Sequence, residues 1–157
     1  MSDAIRLATP ADVPAMSLVL TNSITELCAA DHGGDPSAIA AWTRNKSEAG
    51  VAAMLANPGL HIYVAEREGV IVAVGAVTTD GHVALNYVDP AARFSGISSA
   101  MLTRLEAALL ALGHSEGRLE ATLTACGFYE SRGWQAAGPQ AGGRVVNGYP
   151  MRKQLVA

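Results

Sequence analysis

Tyr87-Val88-Asp89-Pro90-Ala91-Ala92-Arg93-Phe94-Ser95-Gly96-Ile97-Ser98-Ser99-Ala100-Met101-Leu102 is the stretch on which the fold turns. It joins an alternating, strand-like run, His82 to Val88, to a long helical stripe. In that stripe Ile97, Ala100, Met101, Arg104, Leu105, Ala108, Leu109 and Leu112 share one helix face, and Gly113 ends it. Asp89-Pro90, a glycine and several serines lie at the junction. A helix start leaves about four backbone N–H groups unpaired and carries roughly half a positive charge. Small residues ahead of it let an anion approach the backbone, so the junction suits a phosphate, and Arg93 adds a cation. The same residues also suit plain helix capping by serine, and the composition alone leaves both readings open. A Walker A loop is excluded because no Gly-Lys-Ser/Thr occurs here, and the glycine triplet of a dinucleotide fingerprint is missing.

Three strand-like runs lead into this junction. Leu60, Ile62 and Val64 alternate with His61, Tyr63 and Ala65, and Glu68-Gly69 marks a turn. Val70 to Val77 is a near-continuous β-branched run, as expected of a strand buried on both faces. Asp80-Gly81 marks a second hairpin, after which Val83, Leu85 and Tyr87 are expected on one face. Nearer the N-terminus, Ala4 to Ala8 alternates as a short strand. Thr9-Pro10-Ala11-Asp12 then opens a helix with the stripe Val13, Met16, Leu20, Ile24 and Leu27. Pro14 either bends that helix or, with Asp12 as the cap, sits in its first turn. His32-Gly33-Gly34-Asp35-Pro36 breaks the pattern, and two shorter helical stretches follow, Ser37 to Arg44 and Ser47 to Ala56.

Beyond the long helix, Arg118 to Leu123 reads as a strand and Ala125 to Arg132 as a short helix closed by Gly133. Trp134 to Ala137 and Met151 to Val156 read as the last strands. The expectation is a mixed α/β fold, one domain over residues 3–157. Its single central sheet is mostly antiparallel and flanked by helices, in the order β-α-α-β-β-β-α-β-α-β-β.

With 157 residues, half of them hydrophobic, the chain can close one core without staples. A net charge of −3 offers no basic surplus, so nucleic acid is not expected as a partner. The longest apolar run, Gly69 to Val77, is far short of the roughly 20 residues of a membrane-spanning helix, so no membrane partner is expected either. Met1-Ser2-Asp3-Ala4 has no charged leader, and no secretory signal is expected. Cys28 and Cys126 are isolated thiols without CxxC spacing. No disulfide and no metal site is expected, and the cytoplasm is the expected compartment.

The quoted stretch resembles the central motif of GNAT acetyltransferases, V-x-P-x-x-(Q/R)-x-x-G-x-(G/A) followed by a helix. Glu120-Ala121-Thr122-Leu123-Thr124-Ala125 and Phe128-Tyr129-Glu130-Ser131-Arg132-Gly133-Trp134 are similar to the strand-to-helix signature of one GNAT subgroup. Pro36, Ala40-Ala41-Trp42 and Met151-Arg152-Lys153-Gln154-Leu155 extend the similarity over essentially the whole chain. Three positions depart from the motif. Phe94-Ser95 stands where a basic or polar pair is usual, and Ser98 where a second Gly or Ala is usual.

The resemblance implies acetyl-CoA as co-substrate and an amine of a small molecule or peptide as acceptor, attacked directly. A homodimer is compatible with it. It implies that Tyr87 and Val88, at the end of a splayed strand, bind pantetheine and polarise the carbonyl through backbone groups. It implies that Arg93, Phe94, Ser95, Gly96, Ile97, Ser98 and Ser99 hold the pyrophosphate, with more backbone and less cationic grip than is usual. Tyr129 falls at the position of the general acid that protonates the CoA thiolate; on the residues alone it reads as a packing tyrosine. Glu120 is the candidate base from its place on the strand beside the groove, with His61, His82, Asp31 or a water chain as alternatives. Cys126, one turn before Tyr129, is not assigned a covalent role. Ser23, His32, Trp42 and Asn147-Gly148-Tyr149 are expected around the acceptor. A catalytically silent acyl-CoA-binding or regulatory domain is the competing reading, and an unrelated nucleotide-binding domain is a third.

Overall fold

The computed structural model describes residues 4–139 and 148–156. Among them a seven-stranded sheet runs in the order β1-β2-β3-β4-β5-β7-β6. Its strands are β1 (Ala4–Leu7), β2 (Leu60–Arg67), β3 (Val70–Thr78), β4 (His82–Val88), β5 (Glu116–Ala121), β6 (Gln135–Ala136) and β7 (Tyr149–Gln154). The helices are α1 (Val13–Leu27), α2 (Ala29–His32), α3 (Pro36–Thr43), α4 (Glu48–Ala56), α5 (Ile97–Ala111) and α6 (Cys126–Glu130). Every pairing is antiparallel except β4 with β5, which are joined by the crossover through α5. The mixed α/β fold with one central sheet is therefore as the sequence implies. Four helical segments, however, stand between β1 and β2 where the expected order has two.

Local chemistry explains most boundaries. Asp12 accepts the Thr9 N–H at 2.8 Å and the Thr9 hydroxyl at 3.1 Å, closing a short 3₁₀ turn ahead of α1. Pro14 then lies in the first turn of α1, where its missing N–H costs nothing. Arg6 donates to both Asp12 oxygens, at 2.8 and 2.9 Å, and also binds Glu66 on β2. This holds the Asp12 carboxyl down to about 2 and raises the Arg6 guanidinium further. The two-residue turn between β2 and β3 puts both Glu68 and Gly69 at positive φ, 54° and 79°, as a turn matching the strand twist requires.

The sheet is covered on both faces. Val64, Val74 and Ala76 pack with Met16, Val19, Leu20 and Val51 on the α1 and α4 side. Tyr63, Ala65, Ala73 and Val77 pack with Met101, Leu105 and Leu109 of α5 on the other. β2 and β3 are thus buried on both faces, as the near-continuous run Val70 to Val77 predicts for β3 but the alternation read for β2 does not. A Cβ on Gly75 would come 2.7 Å from Met101 Sδ, so glycine there lets α5 lie close on β3. Two stripe expectations for α5 are corrected. Ala100 faces solvent and Leu112 is 38% exposed, while Leu102 is buried instead.

The face assignment of β4 is also corrected. Ala76 pairs with Leu85 but Val77 pairs with Val83, so Ala84 is an extra, bulged residue. A bulge reverses the alternation beyond it. Val83 accordingly joins the α5-side core while Leu85 and Tyr87 pack on the α1 side. The bulge also marks where two strands part. β4 and β5 pair only at His82 with Arg118 and Val83 with Leu119, although β4 runs to Val88 and β5 to Ala121. The resulting wedge opens toward the start of α5.

Candidate active site

Two cavities meet at the wedge. The larger, about 340 Å³, lies beside the C-terminal end of β4, the start of α5, the C-terminal end of α1 and α6. Tyr87, Val88, Arg93, Phe94, Ser95, Gly96, Ile97, Ser98, Ser99 and Tyr129 all border it. The smaller, about 50 Å³, lies between β4 and β5 and is bordered by Glu120. Asn86, Tyr87, Thr122, Ala125 and Tyr129 border both. Ten of the residues singled out from sequence are thus gathered at one cavity, and Glu120 stands at the adjoining one.

The α5 junction is closed without a serine cap. Gly96 is the N-cap residue, at φ 84°, and no side chain caps the helix. Ser95 turns back and donates its hydroxyl to the Ala92 carbonyl, and the Ser99 hydroxyl accepts Arg132 Nε at 3.0 Å. The serines therefore do not satisfy the first N–H groups of α5. These stay directed at the cavity end, together with the positive end of a 15-residue helix. Phe94 takes φ 63°, rare for an aromatic residue, and is 90% exposed with the Arg93 guanidinium 4.4 Å from its ring centre.

Arg132 was not singled out from the sequence. Its guanidinium lies 4.0 Å from the centre of the Phe128 ring and donates to Ser99, to the Phe128 carbonyl at 3.3 Å and to Ser131 at 2.7 Å. It borders the larger cavity, so two arginines flank the start of α5. The local signal is its spacing four residues after Phe128 at the end of the expected helix Ala125 to Arg132, although α6 itself closes at Glu130.

Tyr129 sits where the cavities join, 6% exposed, edge-on to Phe128 at 5.2 Å and Trp134 at 6.0 Å. Trp134 is itself fixed: its indole N–H donates to Glu106 Oε2 at 3.2 Å, and Lys153 donates to the same carboxylate at 2.9 Å. Burial pushes the Tyr129 phenol up to about 12, with a donor from the Asn86 side chain pulling the other way. The group is a neutral O–H throughout the physiological range. Tyr87 is raised as well, first by burial and then by Cys28, with the Trp42 side chain acting oppositely.

The alternative bases are placed elsewhere. Asp31 accepts the Leu123 N–H at 2.6 Å, the Thr124 N–H at 3.2 Å and the Thr124 hydroxyl at 2.6 Å, clamping α2 to the loop after β5. His82 is held by Asp80 at 3.0 Å, and neither His82 nor His61 borders the two cavities. Glu120 lies between Leu119 and Ala121, which face α5, so it projects to the other side of the sheet. A Cβ on Gly148 would come 2.8 Å from Glu120 Cβ, which explains a glycine there. Burial raises the Cys126 thiol and pushes Cys28 up to about 12, unsuited to nucleophilic thiolates.

Of the residues expected around the acceptor, Ser23 borders the larger cavity. His32 is a structural residue: Nε2 meets the Ile24 carbonyl at 2.8 Å and Nδ1 accepts the Gly34 N–H at 3.0 Å. Trp42 packs edge-on against it at 6.1 Å. Tyr149 pairs with Ala121 at the start of β7, and Asn147 lies outside the described residues.

The sequence model described as an acetyltransferase (GNAT) domain matches residues 28–155. The chain belongs to the GNAT acetyltransferase family. A comparison with curated proteins gives no match. Among solved structures, a GCN5-related N-acetyltransferase from Rhodopseudomonas palustris is similar, with 25% identity and a TM-score of 0.86 over 99% of this chain and 97% of that one. The PaiA N-acetyltransferase of Thermoplasma acidophilum, solved in complex with coenzyme A, has 17% identity and a TM-score of 0.78 over 98% and 99% of the two chains. The ribosomal-protein-S18-alanine N-acetyltransferase of Escherichia coli has 20% identity and a TM-score of 0.66 over 99% and 96%. The last two speak for the GNAT fold alone. Among the described residues no cluster of His, Cys, Asp or Glu could hold a metal ion, and no helix is long and apolar enough to cross a membrane.

Proposed function

We propose that this GNAT protein transfers the acetyl group of acetyl-CoA to an amine of a small molecule or peptide by direct attack. One observation carries the reading: the uncapped start of α5, the parted strands β4 and β5 and the buried Tyr129 hydroxyl border one cavity. The chemistry of the residues fits CoA. The α5 N–H groups of Ile97 to Ser99, with Arg93 and Arg132, suit a pyrophosphate. The β4 edge from Asn86 to Val88 has no β5 partner among the described residues, so its backbone groups can pair with the amides of a pantetheine arm. That PaiA, similar in fold, was solved in complex with coenzyme A supports coenzyme A as the ligand.

Acetyl transfer needs a neutral amine, a held oxyanion and a protonated leaving sulfur. The amine nitrogen attacks the carbonyl carbon from the Glu120 side of the wedge. The backbone N–H of Val88 receives the oxyanion, the C–S bond breaks, and the Tyr129 hydroxyl donates to the departing sulfur. Glu120, directly or through water, accepts the proton the amine loses, so that amide and thiol are the products. The reading needs neither nucleic acid nor membrane as partner, places the protein in the cytoplasm, and is compatible with a homodimer.

Free thiol released from acetyl-CoA, followed against a panel of small amines and N-terminal peptides, tests it. Amine-dependent release is expected. Stabilisation by CoA with no release on any amine would instead make the domain an acyl-CoA sensor, and stabilisation by ATP or NAD but not CoA would sink the reading altogether.

A further inference from the structure

Glu106, in the middle of α5, turns its carboxylate inward, and its side chain is 18% exposed. Lys153 of β7 donates to Oε1 at 2.9 Å and to Oε2 at 3.2 Å, and the Trp134 indole N–H donates to Oε2 at 3.2 Å. A carboxylate and an ammonium drawn this far out of water return little more than their desolvation costs, and an aliphatic residue could fill the place. What the pair does is fix a ring. Trp134 is 2% exposed, and a Cβ on Gly117 of β5 would come 2.9 Å from its Cη2. The indole is thus held at its nitrogen by Glu106 and at its far edge by β5.

Trp134 meets Tyr129 twice. Its backbone N–H donates to the Tyr129 carbonyl at 3.1 Å, and its ring stands edge-on to the phenol at 6.0 Å and 70°. Phe128 stands edge-on to the same phenol at 5.2 Å. The plane of the phenol is therefore set between Phe128 and Trp134, and Trp134 is set by Glu106. Neither Glu106 nor Trp134 borders the two cavities, whereas Tyr129 borders both. Glu106 also lies nine residues after Ile97, roughly 13 Å along α5, so one rigid helix spans from the phosphate end of the site to the support of its acid.

We propose that Glu106 is a positioning residue of Tyr129: held by Lys153, it fixes the Trp134 ring, and through that ring the plane in which the Tyr129 O–H is delivered to the sulfur of bound coenzyme A. Glu106 exchanges no proton and touches no ligand. The proposal rests on the acetyl-CoA reading of the site.

The test needs no acceptor. Coenzyme A is bound to the wild-type protein and to Glu106→Leu, Glu106→Gln, Trp134→Phe, Tyr129→Phe and Glu106→Leu with Tyr129→Phe. Affinity at pH 7 is measured by calorimetry, and the bound thiol is titrated through its thiolate absorbance against ligand-free protein. The other titratable groups bordering the two cavities are Tyr87 on β4, Glu120 on β5, Cys28 after α1, and Arg93 and Arg132, with Asp31 clamped to the rim at Thr124. All are common to every variant. A hydrogen bond to a thiolate favours the charged form, so Tyr129→Phe should raise the pKa of the bound thiol by about one pH unit. Glu106→Leu and Trp134→Phe should each raise it by roughly half as much, with CoA affinity within about twofold of wild type. Glu106→Gln keeps an oxygen for the indole N–H and should leave the thiol near its wild-type value. The double variant should match Tyr129→Phe alone, because without the hydroxyl its orientation has no effect. Loss of the Glu106 charge by itself would lower the thiol, so the sign separates charge from position.

A thiol unaltered or lowered by Glu106→Leu and Trp134→Phe, while Tyr129→Phe raises it, would overturn the proposal. So would a shift in Glu106→Gln equal to that in Glu106→Leu, or effects that simply add in the double variant, as a mere loosening of the core predicts. Should Glu106→Leu not fold, Trp134→Phe and Glu106→Gln carry the same comparison. Failure of wild-type protein to bind CoA at all would be a different result, removing the acetyl-CoA reading and the proposal with it.

Discussion

Asp31 accepts the Thr124 hydroxyl at 2.6 Å across 93 positions of sequence, and the same carboxylate holds the Leu123 N–H. The bond ties α2, which follows the cavity-lining end of α1, to the loop that carries Thr122, Thr124 and Ala125 on the opposite rim. A carboxylate engaged by three donors in this way frames the cavity, and it is not aimed at a substrate proton.

Asp31→Asn should therefore behave as a framing variant, keeping one acceptor oxygen and retaining acetyl transfer within about threefold. Asp31→Ala leaves the loop unanchored and should cost roughly 1–2 kcal/mol of stability, with a several-fold loss of CoA affinity. Melting curves and calorimetric titration of both variants check this. Abolished turnover in Asp31→Asn with unchanged CoA binding would instead mark Asp31 as the base.

Tyr129→Phe should lower turnover by roughly 10²-fold while CoA affinity stays near wild type. The hydroxyl is held neutral to about pH 12 by burial. Its ionisation therefore should not produce an alkaline fall in rate below about pH 10, the ordinary tyrosine range. A pH–rate profile of the wild type checks the second point, and single-turnover rates of the variant the first.

Arg132→Ala should weaken CoA binding by roughly tenfold, because its guanidinium is pre-set beside the α5 start by Ser99, Ser131 and the Phe128 ring. Arg93→Ala should cost less, since that side chain is exposed and screened. Repeating the titrations at higher salt should shrink both losses.

Acid stability should follow Asp12. Its carboxyl is depressed in the folded protein from 3.8 to about 2, mainly by the hydrogen bonds from Arg6. A depressed carboxyl contributes stability that is complete above the unfolded value and is lost as pH falls from about 4 through about 2. Asp12→Asn should remove roughly 1–2 kcal/mol at neutral pH, discounted for the partly exposed arginine, and flatten the melting temperature across that acid window. Thermal melts between pH 2 and 7 compare the two proteins.

Local periodicity carried the sheet, because β2, β3 and α5 bury residues at spacings that hold over many positions. It failed at Ala84, where one extra residue reverses the faces of Leu85 and Tyr87 without any change in residue type. It failed again in the α5 stripe, where Ala100 lies off the face that buries Ile97 and Met101, and Leu112 follows the helix end at Ala111. The glycine and serines ahead of α5 were legible, yet only the structure shows that the serines leave the helix start uncapped. Asp31, a candidate base by sequence, proved a clamp, and Arg132 joined the cavity rim, through partners far along the chain, Thr124 and Ser99, which no local pattern brings together.

The most direct test of the whole account is a crystal structure of the protein with coenzyme A. The account predicts pyrophosphate oxygens on the N–H groups of Ile97 to Ser99, with Arg132 alongside, and a pantetheine arm along Asn86 to Val88. It predicts the sulfur within hydrogen-bond reach of the Tyr129 hydroxyl, where the two cavities join. Coenzyme A seated elsewhere, or bound here with its sulfur turned away from Tyr129, would contradict it.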